Sequence, residues 1–142
     1  MTSDDRLRLI FHGAIVMLVG LMCGLPTVLE EGPEALRDWH TAHEALIMMG
    51  VWILAMSSVV PALVLEARDA KALRWSLLAM GYGFTVGLLA QGVTGARAFE
   101  PGTSLGSVFA FFPSTLGILG AVMSVLLTLK GARAALKVAP PG

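Results

Sequence analysis

Charge is scarce in this chain. Its 142 residues carry ten basic and ten acidic side chains, balance to zero net charge, and form no basic stripe interleaved with aromatics, which excludes nucleic-acid binding. Cysteine is nearly absent. Cys23 alone rules out an intrachain disulfide or a cysteine-rich metal cluster, and within an apolar run it reads as a small buried hydrophobe. Also missing are a Ser-His-Asp set, a glycine-rich phosphate loop, an internal repeat and any carboxylate in the middle of an apolar stretch. The last absence argues against proton-coupled transport. What remains is apolar: 56% of residues are hydrophobic and the mean hydropathy is +0.76. Those residues lie in long runs separated by short charged connectors, a pattern outside that of soluble domains.

Uninterrupted apolar stretches of about 20 residues, the length that crosses the hydrocarbon, fall at 9–29, 45–65, 74–94 and 107–129. Lipid cannot satisfy backbone polar groups, so each must be helical. The expected fold is all-α, an integral membrane four-helix bundle in one domain. Pro26, Pro61 and Pro113 are expected to bend or end their helices. The run after Arg6 and Arg8 is about twice the length of a signal core and is read as a retained span. Arg6, Arg8, Arg68, Lys71, Arg74, Lys130, Arg133 and Lys137 flank one side of the membrane, leaving Arg37 and Arg97 on the other. Both termini are therefore expected in the cytoplasm, with the chain in the plasma (inner) membrane. Glu30, Glu31, Glu34, Asp38, Glu44 and Glu100 fall on the outer side, where 30–41 is long and polar enough for a cap. Trp39 and Trp75 fall at the interfaces, where indoles anchor helices.

Gly20-x-x-x-Gly24 and Gly83-x-x-x-Gly87 allow close helix approach within or between subunits. Three histidines are the ionisable candidates. His12 lies about one turn in from the inner edge and His43 opens the second span, roughly 20 Å away along the membrane normal, so they cannot share one metal. His40 and His43, with Glu44, occupy neighbouring positions of one helix face. Three readings stay open there: ordinary hydrogen bonds at a helix start, haem ligation by one histidine, or a zinc site. Gly50, seven residues after His43 and roughly 10 Å deeper, leaves space for a macrocycle or marks a close helix crossing.

Phe11-His12-Gly13, Trp39-His40-Thr41-Ala42-His43, the spacings from His43 to Pro61 and on to Gly81-Tyr82, Pro101-Gly102 and the 109–113 segment together resemble the styrene oxide isomerase family. These are small four-span membrane enzymes holding haem b. The resemblance covers most of the chain. It implies that His43 is the axial ligand of haem b, held between neighbouring subunits of a trimer. It also implies a lipophilic epoxide substrate entering from the membrane lipid. In that family ferric iron acts as a Lewis acid, the ring opens, and a 1,2-hydride shift gives an aldehyde with no net electron transfer.

The chain departs from the family at two positions. An asparagine six residues after the ligand histidine is here Met49, and a tyrosine seven residues after the glycine matched by Gly81 is here Leu88. By helix rise both lie about 9 Å from the outer edge, the depth of a shared pocket, so they are the expected neighbours of the cofactor. Tyr82 should lie about 9 Å deeper and cannot take the tyrosine's place. Gln91 and Thr85, each three residues from Leu88, are the candidate catalytic polar groups, although Gln91 can equally face the interface. A non-catalytic haem protein and a metal-free accessory subunit are the competing classes.

Overall fold

The computed structural model describes residues 3–29 and 32–138. They form helices α1 (Ser3–Met22), α2 (Pro26–Leu29), α3 (Pro33–Val59), α4 (Ala67–Thr94) and α5 (Leu105–Val138), with a 3-10 turn at Val60–Ala62. Four of these stretches are long and apolar enough to cross a membrane. The chain is an all-α, multi-pass membrane bundle.

The boundaries differ from those expected. The 9–29 stretch is two helices, because the backbone tightens after Met22: Gly24 and Leu25 donate to the carbonyls of Leu21 and Met22 rather than four residues back. Pro26, without an N–H, then opens α2. The second long helix begins at Pro33, well before the apolar stretch expected from 45. Gly32 in extended backbone precedes a proline at the first helical position and Glu34 in the first turn, a start signal that hydropathy does not register. The expected polar cap is thus an extension of α3, while Glu30 and Glu31 lie outside the described residues. That span ends at Val59, and Pro61 sits in the 3-10 turn. The third begins at Ala67 and stops at Gly95, whose φ of 67° lets its N–H close back onto Gln91 O. Pro113 ends nothing; α5 passes through it and continues to Val138.

The helices pair as neighbours. α1 lies along α3 and α4 along α5, while α4 also contacts α1 and α3; α5 packs on α4, on the 3-10 turn and, at Gly131, on residues 63–65 that follow it. Lipid gives little drive to associate apolar faces, so close packing between small residues holds such pairs. A Cβ on Gly20 would come within 2.7 Å of Ile47 N, and one on Gly83 within 2.6 Å of Pro113 O. Both glycine pairs therefore serve contacts within the subunit. Leu9, Val16, Leu46, Ile53, Leu73 and Leu77 are buried where α1, α3 and α4 meet.

Asp5 pairs with Arg74, and Lys130 Nζ donates to Asp69 at 2.6 Å, at the end of the bundle that carries the chain's first and last helical turns. At the opposite end Gln91 meets Asp38, and Trp39 covers Gly92.

Candidate functional site

His43 stands where the break in α1 faces α3. Because Gly24 N–H turns to Leu21 O, the Gly20 carbonyl lacks its usual partner four residues on. In lipid such a group needs another donor, and His43 Nδ1 donates to it at 2.8 Å. The ring edge rests on Gly24, where a Cβ would lie 3.0 Å from Cε1 and Nδ1. Among the described residues Nε2 makes no hydrogen bond. An imidazole that gives one N–H to a carbonyl and keeps the other nitrogen free has the arrangement of a metal ligand. His43 therefore fits an axial haem ligand by its donor chemistry.

His40 turns elsewhere, with its Nδ1 3.6 Å from Glu44 on the exposed side of α3. No three His, Cys, Asp or Glu side chains gather among the described residues, so the ligand count of a zinc site is not assembled. Of the two readings open at Gly50, the close helix crossing is the one seen. A Cβ there would lie 2.6 Å from Met17 Cβ and 2.8 Å from Gly13 O, so the space beside it belongs to the α1–α3 crossing and holds no macrocycle. Any haem on His43 must find its room elsewhere.

Met49 packs half-buried against the core, and Leu88 is 3% exposed within it. Gln91 is engaged at both ends: Nε2 donates to Asp38 Oδ1 at 2.8 Å, and Oε1 accepts from Ala98 N at 3.2 Å. It ties the start of α3 to the connector after α4. Thr85 is buried and donates its hydroxyl to Gly81 O of its own helix at 2.7 Å. The Gln91 corner borders a cleft of about 760 Å³ that also takes in Arg37 and Arg97. Arg97 donates to Glu100 at 2.6 Å, and that hydrogen bond, with the carboxylate's charge, raises the guanidinium pKa above its ordinary value.

One pairing was not foreseen. His12 Nδ1 lies 2.7 Å from the Tyr82 hydroxyl, with the rings edge to face at 5.6 Å. Helix rise puts both residues within a few turns of the same end of the bundle, and two polar groups at one depth of a small bundle seek each other. That signal was present in the sequence. His12 and His43 stand toward opposite ends, as expected.

The family model described as styrene oxide isomerase matches residues 5–133, from the first turn of α1 into the last turns of α5. No curated protein and no solved structure matches the chain.

Proposed function

The chain belongs to the styrene oxide isomerase family, and from that premise we propose that it is a haem b-dependent membrane isomerase that converts a lipophilic epoxide into a carbonyl compound. The observation that carries this reading is His43, with Nδ1 given to Gly20 O and Nε2 free. Bound there, haem would supply a Lewis acid able to polarise an epoxide oxygen. The Gly20 carbonyl fixes the tautomer and tilt of the imidazole. Gly24 lets the ring lie flush on α1. Met49 and Leu88 keep water away and favour an apolar substrate, but offer no hydrogen bond. Each missing bond weakens transition-state stabilisation by about 1–3 kcal/mol, roughly one to two decades in rate. The reading includes a homotrimer, as in the family, and a cytoplasmic placement of the basic end that carries the termini.

A non-catalytic haem protein is the second reading. It is favoured by the engagement of Gln91 with Asp38 and Ala98 and of Thr85 with Gly81, which leaves few free polar groups to orient a substrate.

The test offers styrene oxide and bulkier epoxides to haem-loaded protein in detergent. Carbonyl product is expected, and His43→Ala should lose both product and Soret band while keeping its helical content. A Soret band without product across the panel would favour the second reading, and a normal Soret band in His43→Ala would remove the ligand assignment. Gln91→Leu should slow turnover only if that amide also reaches the substrate.

A further inference from the structure

We propose that the groove between α1 and α4, at the end of the bundle carrying the first and last helical turns, binds a phosphate-bearing anion, with an anionic phospholipid headgroup as its occupant. The inference does not depend on the isomerase reading. The groove encloses about 120 Å³ and is lined by Arg8, Leu9, His12, Arg74, Trp75 and Leu78. That is about four waters' share of liquid volume, enough for a compact anion but not for a large headgroup.

Its donors come from both helices and are differently prepared. Arg74 pairs with Asp5, and its guanidinium lies 5.8 Å from the Trp75 ring centroid, so it is held in place with its charge largely balanced. Arg8 is exposed at the mouth and has no carboxylate partner among the described residues, which leaves one uncompensated positive charge. His12 is steadied through Nδ1 by Tyr82. When the Tyr82 hydroxyl donates there, the ring proton resides on Nε2 and gives a third donor.

The polarity gradient favours a lipid over free phosphate. The cations lie nearest the membrane surface, and Trp75, 58% exposed, adds an indole of the interfacial type. Leu9 and Leu78 form the floor, and Phe11, 63% exposed, meets His12 edge-on at 5.6 Å on the way into the bilayer. A phospholipid presents the same sequence, phosphate outermost and acyl chain inward. Basic pockets between membrane helices hold lipid headgroups in this manner. Inorganic phosphate would meet the donors but gain nothing from the apolar path.

The experiment titrates phosphatidylglycerol into the full chain in phosphatidylcholine nanodiscs and counts lipids retained per subunit by native mass spectrometry. One tightly held phosphatidylglycerol is expected. Arg8→Gln should weaken it about fivefold, the contribution of one basic residue near an anionic surface, whereas Arg133→Gln, a basic site at the same end on α5, should not. Equal loss in both variants would reduce the effect to general surface attraction and overturn the site, as would unchanged retention in Arg8→Gln. Displacement by inorganic phosphate at matching affinity would overturn the lipid as occupant and leave the free anion.

Discussion

Between α4 and α5 both helices run unbroken through their contact, with Gly83 and Gly87 against Pro113, Ser114 and Gly117. Between α1 and α3 the same kind of glycine contact, at Gly13, Gly20 and Gly50, ends where α1 breaks at residues 23–25. The unbroken pair stays helical throughout, giving up the donor to the Phe109 carbonyl at Pro113, and among the described residues leaves over one buried hydroxyl without a partner, that of Ser114. The broken pair leaves over a carbonyl, and a histidine answers it. A backbone group released inside a membrane must be met by a side chain, so the break and the imidazole come as one unit. The histidine sits on the pair with the imperfect helix, and the α4–α5 pair packs beside it.

Three substitutions would break or sharpen this contrast. Gly83→Val should have the largest effect, because its first carbon would already lie 2.6 Å from Pro113 O and 2.7 Å from Gly117 N, both backbone atoms. The helices must separate, at about 3 kcal/mol, the upper end of overpacking costs, and a melt followed by circular dichroism in detergent should show it. A wild-type midpoint would mean that the α4–α5 pair is not closely packed. Gly24→Ala should act on the site instead. The new methyl presses on the His43 ring, and tilting that ring costs about 1 kcal/mol, with little change in the melt but a displaced or weakened Soret band. An unaltered spectrum would separate the α1 break from haem ligation. Smallest is Ser114→Ala, which removes a hydroxyl with nothing to bond. It should leave the melt unchanged or raise stability by up to about 1 kcal/mol; a clear loss would show that the hydroxyl has a partner.

Hydropathy made the four spans legible because each holds its apolar run over the full width of the hydrocarbon. It could not find where α3 begins, since the residues from Pro33 to Thr41 are polar yet favourable to a helix, and their start lies in proline placement and first-turn charge. The same blind spot hid the Asp38–Gln91 bond: with 30–41 read as a polar cap, Asp38 had no fixed position to which Gln91 could be matched. His43 stood out by type and place. Its partner did not, because a carbonyl becomes available only through a local change of hydrogen-bond register that no residue announces by itself. Gly50 shows the opposite limit, since a small residue signals close approach without saying whether helix or cofactor approaches.

The pairing of sequence neighbours bears on how the chain assembles as it enters the bilayer. The α1–α3 hairpin can close once α3 has been made, and α4 then docks on both of its helices. No helix waits for a distant partner, so the loop-closure cost that slows long-range topologies is largely avoided. α5 arrives last and packs on α4, the turn at Val60–Ala62 and residues 63–65 after it. The imidazole and its carbonyl are thus in register before the final third of the polypeptide exists, and the last helix is added to a centre already built.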